Sequence, residues 1–310
     1  MSMNTRVLNQ RHRVKDQTRL GIMFVLPALI YMIVFIGVPI VQNIVLSFQN
    51  VDVYNFAKPE MREFIGLENY EKLFTGANSI MLTSIKNTFI FTVGSIFFQF
   101  IIGFALALLF NKSFPGYKLF RVVSMISWVL PVTVVGLLFK FMFATSGGIV
   151  NQFLIQIGFV HSPIEWLLQA DTAMIAVIIA NIWIGIPFNM MLILTGLQTI
   201  SAEIYESVSL DGANWFQRFF MITVPMIKPA IMSVLTLGFV YTFKVFDLVW
   251  VMTKGGPVDA TQLVSTYAYR LSFEEFNFSM GAAAANILFV ILLVAGIFYI
   301  HTISDDEVIE

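Results

Sequence analysis

A chain of 310 residues that is 58% hydrophobic and 12% charged, with a mean hydropathy of +0.82, belongs in a membrane; soluble domains carry about 25% charged residues. The net charge of −1 supplies no global field that would draw nucleic acid. The lack of cysteine removes disulfides, thiolate nucleophiles and Cys-based metal sites.

Arg6, Arg11, Arg13, Lys15 and Arg19 mark a polar, basic tail at 1–19. No cleavable leader is expected, because the apolar run behind it is too long for a signal-peptide core. Six mostly apolar runs follow, at 20–48, 87–110, 120–143, 172–196, 229–252 and 281–302. Each reaches the roughly 18–20 residues that cross a bilayer core. The runs are continuous rather than alternating, so they read as helices and not barrel strands. The predicted fold class is all-α, a polytopic bundle of six transmembrane helices over 20–302, with a short tail at 303–310.

Basic residues orient this bundle. Lys112, Lys118 and Arg121 fill the second connection, whereas 144–171 has no Lys or Arg. Both termini and 197–228 are expected in the cytoplasm, and 49–86, 144–171 and 253–280 outside; ten Lys/Arg then lie inside and six outside. The first outer loop suits a small surface structure. In 144–171, Val150, Phe153, Leu154 and Ile157 recur at helical spacing, which predicts a short interfacial helix. Gly103/Ala107 and Gly281/Ala285, small residues four apart, allow helices to approach closely.

The stretch Glu203–Pro229, EIYESVSLDGANWFQRFFMITVPMIKP, is too polar for lipid although apolar runs flank it. Ser201 stands where an N-cap would, and Glu203 and Glu206 fall in first turns where the helix dipole favours anions. Asp211-Gly212 breaks that helix. A second helix follows with Trp215, Phe216, Phe219 and Phe220 as an aromatic stripe, and Pro225 and Pro229 are expected to stop it. Such a stripe either docks on a partner or folds back on the bundle.

Lys244 and Asp247 fall three apart on one helix face of the otherwise apolar fifth run. Intramembrane charges cost at least about 2.5–3.5 kcal/mol each unless paired or hydrated. The two residues therefore read as a structural ion pair near the outer end of the span, as an outer gate, or as a contact for a charged or heavily hydroxylated substrate.

Catalytic signatures are missing. No glycine is followed by lysine, so there is no phosphate-cradling loop and ATP hydrolysis is not expected of this chain. H-E-x-x-H and G-x-S-x-G do not occur, and His12, His161 and His301 are scattered. Neither a catalytic residue nor a metal ligand is nominated.

Glu206-Ser-Val-x3-Gly212-x9-Ile222-x-Val-Pro225 resembles the E-A-A-x3-G-x9-I-x-L-P loop of permease subunits of binding-protein-dependent ABC importers. The departures are Ser-Val for Ala-Ala and Val for Leu. Phe64-Ile-Gly-Leu-Glu-Asn-Tyr70, Asn87-Thr-Phe89, Asn181-Ile-Trp-Ile-Gly-Ile-Pro-Phe188 and Phe246-Asp247…Thr253-Lys-Gly-Gly-Pro257 are similar to the sugar-importer branch. Within it they resemble the larger permease of maltose transporters, here without an inserted outer domain.

The resemblance implies a type I ABC importer permease fold in a bacterial or archaeal cytoplasmic membrane. It implies a second, related permease, a dimer of ATPase subunits, an extracytoplasmic solute-binding protein and a sugar substrate. ATP and Mg would be bound by the ATPases, and this chain would hold no cofactor. Glu203, Glu206, Gly212, Ile222 and Pro225 would form the ATPase-docking loop, with Glu206 the acidic contact and Gly212 the turn. Ile184, Gly185, Phe188, Tyr241, Thr242 and Val245 would line the substrate pathway. Import of glycerol phosphate, a polyol or a uronate oligosaccharide is the alternative, and an ATPase-independent secondary carrier a more distant one.

Overall fold

The computed structural model describes residues 21–77 and 79–307, with side chains through Ile300; the expected basic tail, 1–19, lies outside the described residues. The chain begins with α1 (Gly21–Ser47), then a two-stranded antiparallel hairpin of β1 (Gln49–Asn50) and β2 (Glu63–Phe64). The short α2 (Glu68–Thr75) leads into α3 (Met81–Phe110). Next come α4 (Tyr117–Val129), α5 (Val132–Met142), α6 (Ile149–Gln156) and α7 (Ala170–Gln198). The second half holds α8 (Ala202–Leu210), α9 (Trp215–Met226), α10 (Lys228–Phe243), α11 (Asp247–Met252), α12 (Val264–Tyr269) and α13 (Phe278–Glu307).

Four helices, α1, α3, α7 and α13, are each long and apolar enough to cross a membrane. Two bent pairs, α4–α5 at 96° and α9–α10 at 66°, bring the spans to six if each pair counts as one. The third run is therefore not the straight helix expected over 120–143. Pro131 clashes with a helical conformation at the residue before it, and Leu130 is extended at φ −67°, ψ 140°. The fifth run also differs, ending at Phe243 instead of 252. The last helix continues past 302 to Glu307, into the stretch expected as a tail.

Two π turns stand immediately before prolines: Ile33–Gly37 ahead of Pro39, and Arg218–Thr223 ahead of Pro225. A proline ring crowds the carbonyl four residues back and donates no N–H, and a widened turn accommodates both defects without ending the helix.

The core is the seam between α3 and α7. Gly103 of α3 meets α7 so closely that an added Cβ would lie 2.7 Å from the Cβ of Asn189 and 3.0 Å from the Met190 nitrogen. Around this point Phe104, Ala107, Met190, Ile193, Leu194 and Leu197 are buried with Ile227 and Val234 of the α9–α10 segment. The other half of the seam buries Phe91, Ala176, Val177 and Ala180 against Phe139 of α5 and Leu248 and Val249 of α11.

At the hairpin end the Phe64–Tyr70 segment acts as a clasp. Asn69 Nδ2 donates to the carbonyls of Ser47 (2.8 Å) and Gln49 (2.9 Å). The Tyr70 hydroxyl lies 2.8 Å from Ser47 Oγ and accepts from Asn286 Nδ2 at 3.2 Å, tying α1 to α13. In 144–171 the expected short helix forms as α6. Its buried Asn151 accepts from Ile164 N and from Trp166 Nε1, closing the loop on itself.

Gly103→Val is expected to lower the stability of the bundle by about 1–3 kcal/mol, the usual cost of overpacking a tight contact. The drop should appear in the thermal unfolding midpoint in detergent, followed by tryptophan fluorescence. Gly37→Val, where the nearest atom to an added Cβ is 3.9 Å away, should leave that midpoint nearly unchanged.

Candidate functional site: a central cavity and a polar loop

Midway along α3 and α7 the helices part around a cavity of about 390 Å³. Small-molecule sites span roughly 300–1,000 Å³. All six residues expected to line a pathway do line it: Ile184, Gly185 and Phe188 from α7, Tyr241 and Thr242 from α10, and Val245 just beyond. The bend between α4 and α5 supplies Trp128, Leu130 and Val132. The break at Pro131 thus shapes the cavity wall.

Phe188 meets Tyr241 edge to face at 5.8 Å between centroids and lies 6.4 Å from Trp128. Flat apolar faces of this kind suit the C–H surfaces of a ring. Polar groups occupy the α3–α7 side. Gln99 Nε2 donates to the Asn181 carbonyl at 2.8 Å, and Asn189 Nδ2 donates to the Gly185 carbonyl at 2.8 Å. Asn181 Nδ2 and Asn189 Oδ1 are buried and have no partner among the described residues. A buried unpaired donor or acceptor costs about 1–3 kcal/mol, so both atoms would gain from a ligand that can hydrogen-bond.

Among the described residues no Lys, Arg, Asp or Glu lines this cavity. It is equipped to hold a neutral, hydroxyl-bearing molecule, and no nucleophile–base pair is assembled in it. Gly185 is required by space: an added Cβ would lie 2.2 Å from Cδ of Gln99.

Gln99, Asn189 and Trp128 were not among the expected site residues, and Asn181 was noted only within its motif. Gln99 carried a signal, an amide in the middle of a long apolar run, where polar groups seek partners.

Lys244 and Asp247 require a correction. They do not share a helix face, because α10 ends at Phe243 and α11 begins with Asp247. Among the described residues no ion pair joins them, and both are exposed. The Lys244 ammonium sits over the Tyr241 ring at 5.2 Å. Asp247 occupies the first turn of α11, where the helix dipole favours an anion. No Gly or Pro marks this break. Ser265 Oγ stabilises it by donating to the freed Val245 carbonyl at 2.5 Å.

At the far end of α7 the 203–229 stretch forms α8 and α9 joined by a tight turn. Ser201 is the N-cap by backbone position, but its hydroxyl makes no capping bond. Glu203 and Glu206 project from α8 uncovered by the rest of the chain. Gly212 has φ +79°, a left-handed conformation that only glycine adopts freely, and nothing lies within 4 Å of its missing Cβ. Asn214 and Gln217 then start α9 with a reciprocal capping box, both bonds 2.9 Å.

The four expected aromatics form one contiguous set of ring contacts, with Trp215 on Phe216 at 5.0 Å and Phe219 on Phe220 at 4.9 Å. Trp215 stacks on Phe219 at 5.3 Å, and Phe219 turns inward to meet Phe104 at 5.6 Å. Phe216 and Phe220 stay exposed at 66% and 62%. Contrary to the sequence expectation, Pro225 does not stop α9; the break comes at Ile227, after the π turn has absorbed the proline. Ile222 is half-buried and Pro225 exposed. Tyr205 to Thr223 at 3.1 Å and Arg218 to Ser209 at 3.0 Å tie α8 to α9 as one unit.

Comparisons with known proteins agree with this geometry. Residues 99–310 match the family model described as binding-protein-dependent transport system inner membrane component. The chain is 31% identical over 284 residues to the trehalose/maltose transport system permease protein MalF of Thermococcus litoralis, covering 92% of this chain and 93% of that one. It is 30% identical to the sulfoquinovosyl glycerol transport system permease protein SmoG of Agrobacterium fabrum, covering 93% and 91%. Among solved structures, a bacterial ABC transporter that imports the acidic polysaccharide alginate matches with a TM-score of 0.77 at 25% identity, over 95% of this chain and 98% of that one.

Gly185→Ala should push the Gln99 carboxamide aside and break its bond to α7, lowering the unfolding midpoint. Adding Gln99→Ala should recover part of the loss. The double-mutant cycle in detergent is expected to give a coupling of about 0.5–3 kcal/mol, the range for residues in contact.

Proposed function

The chain belongs to the family of binding-protein-dependent transport system inner membrane components, and on that footing we propose that it is the sugar-conducting permease subunit of an ABC importer. The observation that carries the coupling is the continuity of α9, α10 and the residues just beyond. One segment runs from the exposed loop, across the 66° bend at Ile227, to Tyr241, Thr242 and Val245 in the cavity wall.

In this reading α8–α9 docks in a groove of an ATPase subunit, a helix-in-groove contact. Glu203 and Glu206 supply the acidic face, and Gly212 the turn that lets the loop enter. Ile222 and Pro225 hold the base of α9. ATP and Mg are bound by the ATPase pair and not by this chain. Closure of the ATPases pulls on α9, and α10 carries that displacement to the cavity. A loaded solute-binding protein on the opposite face favours the outward-open state by binding it better. A second, related permease completes the pathway, and both termini of this chain face the cytoplasm of a bacterial or archaeal cell.

The sugar is held by Phe188 and Tyr241 against its C–H faces and by Thr242, Asn181 and Asn189 through its hydroxyls. Trehalose and maltose in one relative and alginate in the structural neighbour favour carbohydrate over glycerol phosphate or a polyol. A family defined by dependence on a binding protein disfavours a stand-alone secondary carrier.

Co-purification in detergent with the second permease and the ATPase tests the docking loop. Wild type should retain the ATPase. Gly212→Val strains the turn by placing a branched side chain at positive φ, with no neighbouring atom within 4 Å of its Cβ, and should lose most of the ATPase while keeping the second permease. Retention of the ATPase by that variant would remove the docking role of this turn.

A further inference from the structure

A second cavity, about 370 Å³, lies where α3 and α7 end against the polar loop. It sits on the face of α9 that carries Trp215, Arg218, Phe219 and Thr223, and Lys112 closes it from the α3 side. Gln217 and Met221, on another face of α9, line a separate hollow beside Gly212. The 370 Å³ cleft therefore faces the bundle and not the docking turn.

Its chemistry is lopsided. Lys112 and Arg218 both line it, and among the described residues neither is paired with a carboxylate, unlike Lys72 with Glu68 or Arg270 with Asp259 and Glu275. Arg218 spends one N–H on Ser209 Oγ, and Lys112 is exposed, with no hydrogen bond or ion pair from its ammonium among the described residues. The opposite wall is apolar, formed by Leu108, Leu109 and Leu197 at the last turns of two membrane-spanning helices. Tyr205 and Trp215, rings with one polar edge, complete it at the level where such residues mark the membrane–water boundary. Two unmatched cations above a leucine wall at the end of the spans fit a molecule with an anionic head and an apolar tail.

We propose that this cleft binds an anionic phospholipid, its phosphate held by Lys112 and Arg218 and its acyl chain lying along the leucine wall. Basic pockets between spanning helices on the cytoplasmic side are the usual place for such headgroups. A lipid seated here bridges the end of α3 to the lever helix α9, so membrane composition sets how freely the lever moves. An acidic protein segment would meet the charges but leave the leucine wall without a partner.

Native mass spectrometry of the full chain in mild detergent, with dioleoylphosphatidylglycerol and dioleoylphosphatidylcholine offered at equal concentration, tests this. Wild type should retain phosphatidylglycerol preferentially, and the preference should fall about fivefold in Lys112→Gln and again in Arg218→Gln. Lys140→Gln, at the other end of the spans, should leave it unchanged. Arg218→Gln keeps a donor for Ser209, and Lys112 is exposed, so both variants should fold, as their unfolding midpoints will report. Equal retention of the two lipids by wild type, or a preference that survives both substitutions, would overturn the proposal. So would displacement of phosphatidylglycerol by millimolar inorganic phosphate, which would mark a small-anion site instead.

Discussion

The contact of α3 with α7 is tight in its inner half and open at its middle, and this difference organises the molecule. At Gly103 the two helices approach so closely that a single Cβ would collide with α7. A few residues away, Gln99 spans the widening gap, bonded to the Asn181 carbonyl and pressed against Gly185. Gly103, which admits α7, and Gly185, which makes room for the Gln99 amide, create a seam that is closed at one point and polar at the other. The remaining helices then complete the cavity from outside: α10 brings Tyr241 and Thr242, and the bend at Pro131 brings Trp128. Packing in a membrane relies on such close contacts because lipid supplies no hydrophobic drive between helices.

The same seam explains how a lever at one end reaches the cavity. Ile227, at the bend between α9 and α10, is buried among Met190, Ile193 and Leu197 of α7. Phe219 of α9 is wedged against Phe104 of α3. In the proposed mechanism a displacement of α8–α9 would be delivered to a packed pivot and not dissipated in a flexible connection. The close-packed side of the seam would be the fixed element, with the α9–α10 segment moving against it. Interiors packed at this density respond by switching between arrangements more readily than by deforming continuously.

Much of this was legible in the sequence, for identifiable reasons. Apolar runs placed the four long helices and the two bent pairs, because a bilayer demands length and continuity. Glu206, Gly212 and Pro225 fell at fixed spacing, and Gly212 takes the positive φ that its neighbour Asp211 implied. The six residues expected to line a pathway meet in one cavity because the motif around Gly185 and the end of the fifth run face each other across it. The failures are local. Pro131 broke a run that hydropathy shows as continuous. Pro225 failed to break a helix because a π turn took up its missing donor. The end of α10 at Phe243 carries no Gly or Pro, and rests on the distant hydroxyl of Ser265, which no local pattern reveals. Lys244 and Asp247 were joined on a helix face that does not exist, and the partners each found, an aromatic ring and a helix N-terminus, are tertiary.

The most direct measurement is binding-protein-dependent uptake of a labelled sugar into proteoliposomes holding this chain with its second permease and ATPase. Phe188→Ala combined with Tyr241→Ala removes the aromatic walls of the cavity and leaves the docking loop untouched. Uptake should be lost while the ATPase stays bound and hydrolyses ATP. Uptake at the wild-type rate would contradict the assignment of this cavity as the sugar path.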